Sequence, residues 1–545
     1  MPKKSFSWSD AKITYPAIAK RIDFAWFLVL LSAAILIFTI DLGNLPLRDW
    51  DEGTVAQVAR DIWRAPTGSM RWLYPTIAGE PYHNKPPLMH LLIAWTYSLG
   101  GVNEWTTRLP GAILTAFSVP LLYSIGREIF RQRLVCVYSA LIYLTMLPVV
   151  RHGRLAMLDG AALCFFMLMM LCLLKARRDL RYSLGVGIGF GLICLTKGML
   201  GILLGSIAII FIFWDTPRLL FSPYMWLAIF IGSVPVISWY GAQIWHYSDI
   251  FTNEGLVQQS LSRIWQPVEG NKGQPWYYLL EILKYTFPWL IFFPSSLRFT
   301  WANRNLSWAK LIIVWFGVYL ITISLMSTKL PWYVFPIYPS IALSCGAFLV
   351  YSENLPLLTP YPRSWFATLI LIAVIAAGGS IYFAFSLTPE IDLAVIFVTL
   401  TITMILTAIL MQKGDKQFLI ILLWGTYISL ILLMTSNHWL WELNERYSVK
   451  PVAAMIQRVN PPTKKIYTSF PENRPSLNFY SDRIIIPTAE KGKLQKLLNI
   501  LQTEKHPYLL LDKPTLQNLP QESINAIGET NNWILVTKNT EQNKI

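Results

Sequence analysis

The sequence predicts a polytopic α-helical membrane protein that carries a small soluble α/β domain at its C-terminal end. Three observations predict it. Apolar residues make up 54% of the 545-residue chain and charged ones 14%, and mean hydropathy is +0.43, a balance outside the range of ordinary soluble globules. Apolar runs approaching the roughly 20 residues that cross a hydrocarbon core of about 30 Å recur along the chain. After residue 436 those runs stop, polar residues rise and short β-type segments begin.

Length and apolarity place about thirteen spans, near 23–40, 108–126, 134–150, 158–174, 183–196, 199–214, 224–245, 276–296, 308–327, 331–350, 365–386, 392–411 and 417–436. Basic residues then test the parity. If Lys3, Lys4, Lys20 and Arg21 lie inside, the same side receives Arg127, Arg131 and Arg133, then Lys175, Arg177, Arg178 and Arg181. Arg218, then Arg298, Arg304 and Lys310, then Arg363, and last Lys413 and Lys416 follow on that side too. This is the positive-inside pattern, with the N-terminus cytoplasmic and the C-terminus outside. The formal charge of +15 is explained by those loops and calls for membrane lipids, not nucleic acid, as the anionic partner. The first span is followed by Asp41-Leu42-Gly43-Asn44 without a small-x-small cleavage site, so it reads as a retained span. All five cysteines, at 136, 164, 172, 194 and 345, fall in expected spans, which implies neither a disulfide framework nor a cysteine metal site.

The division expected is a membrane domain over 1–436 and an outer α/β domain over 437–545. Within the first, the outer loop 41–107 has structure of its own. Val55, Val58 and Ile62 recur at helical spacing over 52–63, an amphipathic helix suited to the interface. Leu88 to Leu99 is too short to span and reads as a second juxtamembrane helix. A second outer loop covers 246–275, with a turn at Glu269-Gly270-Asn271-Lys272-Gly273. In the outer domain, strands are expected at 465–468, 483–486, 508–511 and 533–537, alternating with helices near 448–459 and 489–502.

Charges beside the spans carry the chemistry. Arg48-Asp49-Trp50-Asp51-Glu52-Gly53 follows the first span, and Lys85, Asp159, Lys197, Arg263 and Lys329 all map to the outer side. Neighbouring residues on a helix diverge by about 100°, so Asp51 and Glu52 do not aim at one point. Asp51 is in register with Val55, Val58 and Ile62, whereas Glu52 is offset. A lone aspartate there would be a helix cap, a lone lysine a snorkeller, and Asp159 could pair with Arg154 or a lysine. Several cations converging with two aspartates on one face instead suggest an anion-binding cavity. His83, His90 and His152 occur without a metal-binding spacing, and no nucleotide-binding motif is present. A transporter or flippase for a lipid-linked anion is the alternative to an enzyme, with a structural membrane protein bearing snorkelling charges as the blandest reading. The missing internal repeat and the one-sided charges favour an enzyme.

An ordered set of motifs over 23–350 resembles the bacterial GT-C membrane glycosyltransferases related to protein O-mannosyltransferases and to the aminoarabinose transferase of lipid A. The motifs are Asp51-Glu52-Gly53, Tyr82-x-x-Lys85-Pro86, Arg154-Leu-Ala-Met-Leu-Asp159, Leu195-Thr-Lys197-Gly198, Gln259-Ser-Leu-Ser-Arg263 and Ser327-Thr-Lys329-Leu-Pro331-Trp-Tyr333. The resemblance implies transfer of a hexose or pentose from a polyprenyl-phosphate sugar to a lipid or protein acceptor. It implies work on the extracytoplasmic face of the bacterial inner membrane, with the C-terminal domain periplasmic. By the same resemblance Asp51 and Asp159 are the catalytic carboxylates, and Lys85, Lys197, Arg263 and Tyr82 surround the donor phosphate. Glu52, Arg154, Lys329 and Tyr333 are additional candidates. The aminoarabinose transferases carry a Glu before the motif lysine and a His shortly before the arginine, both associated with zinc. This chain has Asn84 at the first position and Gln259 and Ser260 near the second, so no metal and no other cofactor is expected.

Overall fold

Apolar length and proline placement decide which segments run as single helices. The computed structural model describes residues 17–268, 270–355, 361–441, 448–488, 493–520 and 523–539. Lys3, Lys4, Glu269 and the start of the helix expected at 489–502 lie outside the described residues. The chain runs through α1 (Ala17–Thr39), α2 (Thr54–Trp63), α3 (Leu88–Gly100), α4 (Glu104–Ile129) and α5 (Arg133–Leu144). It continues through α6 (Leu147–Gly153), α7 (Asp159–Ala176), α8 (Ser183–Lys197), α9 (Leu200–Asp215) and α10 (Pro223–Tyr247). Among the described residues nine helices are long and apolar enough to cross a bilayer: α1, α4, α7, α10 and five more between Ser307 and Thr435.

All thirteen expected segments fall on helix, but four of them are not single long spans. The segment 134–150 is bent, α5 and α6 meeting at 61°. Helices α8 and α9 have 15 and 16 residues, a rise of about 22–24 Å that falls short of a core about 30 Å thick. The segment 276–296 breaks into Tyr277–Tyr285, Trp289–Ile291 and Phe293–Ala302, because Pro288 and Pro294 each remove a backbone donor. The molecule is a multi-pass α-helical membrane protein, and thirteen counts helical segments, not full crossings. Where α8 crosses α10, Gly187 and Gly191 lie directly against the backbone of Ala228 and Gly232, the close small-residue approach that packs helices in lipid.

One end of the bundle collects the basic loops. Arg127 and Arg133 pair with Asp23 at 3.2 and 2.6 Å, Arg178 with Glu128 at 3.0 Å, and Arg177 and Lys310 with Asp215 at 3.0 and 3.6 Å. The first outer loop and the C-terminal domain meet at the other end. That domain is a five-stranded sheet of β3 (Lys465–Thr468), β4 (Ile484–Pro487), β5 (Tyr508–Asp512), β6 (Ile524–Thr530) and β7 (Trp533–Lys538), with β1 (Thr76–Ile77) and β2 (Glu80–Pro81) forming a separate hairpin in the first outer loop. The strand order is β4-β3-β5-β7-β6, parallel between β4, β3 and β5 and antiparallel from β5 to β7 to β6. Helix Val449–Val459 covers one face and helix Lys493–Thr503 the other, each over its own apolar cluster. Three elements here were not expected, one of them the 5-residue helix Lys513–Gln517. Strand β6 is a polar edge strand, and the helix Pro475–Ser481 has only 7 residues.

Helix Pro475–Ser481 docks on the first outer loop. Arg60 donates to the carbonyls of Phe479 and Asn478 at 2.7 and 3.2 Å, and Arg64 pairs with Asp482. The Tyr480 hydroxyl accepts from the Leu47 N–H at 2.8 Å and donates to Glu104 at 3.1 Å. Lys450 reaches the same glutamate at 2.5 Å.

Candidate active site

Asp49–Gly53 forms a single π-helical turn leading into α2, and this wider turn sets the register of its acidic side chains. The straight helical register puts Asp51 inward and Glu52 aside, and the structure corrects that. Glu52 is fully buried and grips Arg108, also fully buried, through two hydrogen bonds of 2.8 Å. Its carboxylate also accepts the backbone N–H of Arg48 at 2.9 Å and of Ala156 at 2.7 Å. Burial alone would raise its pKa; the Arg108 charge and these donors outweigh that and hold the carboxyl below the usual glutamate range. Glu52 is a junction between the first loop, α4 and the segment leading into Asp159, not a group free to meet substrate.

Asp51 projects the other way, with a side chain 26% exposed and Arg48 at 3.6 Å. Burial pushes its carboxyl above the ordinary aspartate value. Arg48 and Lys197 oppose that rise, while the charges of Asp159 and Glu52 add to it. Asp51, Asp159 and Lys197 therefore share one electrostatic neighbourhood. The turn begins at Arg48 with no side-chain cap, so neither Asp49 nor Asp51 is the helix cap that a lone aspartate would be.

Asp159 begins α7, and Lys197 ends α8, which Gly198 stops at φ +54°. The Lys197 ammonium donates to the Asp159 carboxylate at 2.5 Å and lies 5.6 Å from the Tyr333 ring centre. The Tyr333 hydroxyl accepts from Arg263 at 3.3 Å, and Arg263 also donates to Gln259 at 2.9 Å. Backbone bonds fix this arrangement: Ser327 and Thr328 donate to the carbonyls of Ile264 and Arg263 at 2.9 and 3.2 Å. The result is a continuous polar line, Asp159–Lys197–Tyr333–Arg263, beside Asp51.

The Tyr82–Pro87 loop approaches the same place from the first outer loop. A Cβ on Gly198 would lie 3.9 Å from Pro86, and one on Gly255 would lie 2.8 Å from the His83 carbonyl. Lys85 is half-buried in that loop, and Tyr82 is buried with its ring edge-on to His90 at 5.4 Å.

Like Glu52, two more of the additional candidates have other work. Arg154 is fully buried and donates to the carbonyls of Ile37 at 2.8 Å and Met434 at 3.3 Å, with its guanidinium 4.6 Å from the Trp439 ring centre. It joins α1 to the last span. Lys329 donates to the carbonyls of Ile323, Ser324 and Met326 at 3.0, 2.7 and 2.6 Å. All three ammonium protons close the end of the helix Ser307–Leu325. A cation absent from the expected set stands at the centre instead. Arg48 is buried, its Nη1 has no hydrogen-bond partner among the described residues, and its guanidinium faces Trp332 at 5.9 Å. Its place directly before the acidic turn was the available signal.

The positions that the resemblance associates with zinc do not offer a zinc set. Asn84 is exposed, the Gln259 oxygen is engaged by Arg263, and the His83 ring packs on Tyr247 and Phe251 at 4.6 and 5.7 Å. Among the described residues no three His, Cys, Asp or Glu side chains converge.

Comparisons with known proteins agree with this architecture. The family described as dolichyl-phosphate-mannose-protein mannosyltransferase matches residues 84–240. The undecaprenyl phosphate-alpha-4-amino-4-deoxy-L-arabinose arabinosyl transferase of Pectobacterium carotovorum is 25% identical over 370 residues, 64% of each chain. The corresponding transferase 1 of Pseudomonas fluorescens Pf0-1 is 26% identical over 329 residues, 59% of this chain and 57% of that one. The match thus spans less than two thirds of the length of these relatives. In structure, ArnT from Cupriavidus metallidurans bound to undecaprenyl phosphate superposes with a TM-score of 0.77 at 17% identity, covering 95% of this chain and 98% of that one. The apo form of that protein gives 0.75. The chain has the GT-C fold and is related in sequence to the aminoarabinose transferases.

Proposed function

We propose that the chain is an integral membrane glycosyltransferase moving a sugar from a polyprenyl phosphate to a lipid or protein acceptor. One observation carries the reading: a half-buried carboxylate, Asp51, faces a line of fixed cations and a tyrosine at one end of a membrane bundle. The aminoarabinose transferases named above, and the bound undecaprenyl phosphate of the Cupriavidus protein, support the donor class. The gathering of basic loops at the opposite end supports a site on the extracytoplasmic face of the inner membrane.

In this reading the reaction is a single displacement. The acceptor oxygen forms a bond to the anomeric carbon as the bond from that carbon to the phosphate oxygen breaks. The electron pair leaves with the phosphate, giving polyprenyl phosphate and inverting the anomeric configuration. Asp51 takes the acceptor proton, a contribution of about 10²–10⁴ in rate. Lys197, Arg263 and Lys85 stabilise the charge on the leaving phosphate, where fixed cations in a dry site act most strongly. Tyr333 holds Arg263 in place, Tyr82 lines the phosphate pocket, and Asp159 orients Lys197. No metal is required, because the cations do the work of charge stabilisation; activity should survive a chelator, and stoichiometric zinc lost together with activity would overturn this.

The test uses detergent-purified protein and a panel of undecaprenyl-phosphate-linked pentoses and hexoses, scored as undecaprenyl phosphate released with an acceptor extract present. Asp51→Asn should fold normally and lose about a hundredfold or more in turnover. Near-normal turnover in this variant would remove Asp51 as the base.

A further inference from the structure

The turn that carries Asp51 is held from two directions. On the membrane side Glu52 binds Arg108 and the Ala156 N–H. On the outer side the Asp49 carboxylate accepts the Ser476 backbone N–H at 3.1 Å and the Ser476 hydroxyl at 2.5 Å, and it receives the Arg474 guanidinium. Asp49 and Arg474 are almost fully buried, with side chains 7% and 4% exposed. Gly53 completes the contact. A Cβ there would stand 2.7 Å from the Ser476 nitrogen, so only a residue without one lets the outer helix come this close.

Attachment of the domain does not require this arrangement. Arg60, Arg64, Tyr480 and Lys450 already fasten the outer domain to α2 and α4. Burying an aspartate with an arginine is a poor source of adhesion, since the loss of hydration offsets much of the attraction. What the buried pair adds is a fixed position for the backbone of the turn, two residues before Asp51.

We propose that the outer domain is a working part of the transfer site: through Ser476 and Arg474 it holds Asp49 and thereby positions Asp51. Asp49, Arg474 and Ser476 are positioning residues in this scheme. It rests on the reading of Asp51 as the base. A displacement of about 1 Å in a reacting group is enough to cost on the order of a hundredfold in rate. The charges that act on Asp51 are those of Arg48, Asp159 and Lys197, with Glu52 acting from behind the turn. A loosened turn admits water to the carboxyl that burial has raised, so the acid limb of the rate profile moves to lower pH.

The experiment uses the full-length purified chain and the undecaprenyl-phosphate sugar that the wild type turns over, with Ser476→Ala, Arg474→Met, Arg474→Lys, Arg64→Ala and Asp51→Asn compared side by side. Ser476→Ala and Arg474→Met should lower kcat about tenfold or more with KM nearly unchanged, and should shift the acid limb of kcat downward. Arg474→Lys should recover much of the loss, and Arg64→Ala, which cuts a domain contact away from the turn, should keep wild-type kcat. Thermal melts identify any variant that fails to fold, and Ser476→Ala, which deletes a single hydroxyl, then decides the outcome. Wild-type kcat and acid limb in Ser476→Ala would overturn the proposal, as would an equal loss in Arg64→Ala. Retained turnover in Asp51→Asn would instead sink the base reading, a failure distinguishable from that of the positioning scheme.

Discussion

Asp51 and Glu52 are neighbours in sequence with opposite environments, and the difference fixes what each can do. Glu52 is neutralised by Arg108 in a pair that water does not reach. Removing one partner of such a pair leaves an uncompensated buried charge, so Glu52→Ala should cost about 3–5 kcal/mol and lower the melting temperature of the purified protein sharply. The pH sign follows from the depressed pKa. The contribution of Glu52 to stability is present above the unfolded value of about 4.3 and is lost as pH falls through the lower folded value. Asp51 behaves in the opposite sense for catalysis. Its carboxyl is raised, so the acid limb of turnover should lie above the ordinary aspartate value of about 3.9, and a limb at or below that value would remove Asp51 from the assignment. At this scale the residue types were legible, because charge beside a span demands an explanation. The register was not legible, because a π-helical turn leaves no periodic signature in five residues. Arg108 was visible as a charge at the head of an expected span, but its partner is 56 residues away.

Among the elements, two irregular segments shape the site more than any span does. The Tyr82–Pro87 loop lies against the backbone at Gly198 and Gly255, and the segment Ser327–Lys329 pairs with the backbone at Arg263. Lys85→Ala and Arg263→Ala should therefore fold and melt near wild type while donor use falls at least tenfold, since a single charge-assisted contact is worth about 1.5–3 kcal/mol. Steady-state assays with varied undecaprenyl-phosphate sugar check this, and wild-type turnover in both variants would dissolve the phosphate clamp. The spans, α2, α3 and four of the five strands of the outer domain announced themselves by period and length. The broken segment at 276–296 did not, because apolar character continues through Pro288 and Pro294. Helix Pro475–Ser481 and strand β6 were hidden for the opposite reason. One is too short to show a period, and the other, Ile524–Thr530, is a half-exposed edge with little apolar content.

For the molecule as a whole, polarity from end to end was the most legible property. The alternation of basic loops predicted which connections share a side, and ion pairs now gather Asp23, Arg127, Arg133, Arg178 and Asp215 at one end. Reporter fusions at Arg178 and at Thr540 should accordingly read opposite compartments. If both read cytoplasmic, the candidate site and the donor sugar would stand on different faces. The docking of the outer domain on the first loop was not legible, because it joins side chains more than 400 residues apart by specific polar contacts and not by a continuous apolar stripe.

That separation has a consequence for how the protein is made. Asp49 leaves the ribosome well before Ser476, which stands 427 positions further along the chain. Contacts so distant in the chain cannot form until the intervening polypeptide has been made and its helices have packed. A nascent or prematurely terminated chain therefore displays its acidic turn without the grip that finishes it. The acidic turn and its partner in the C-terminal domain can meet only after every segment between them has been made.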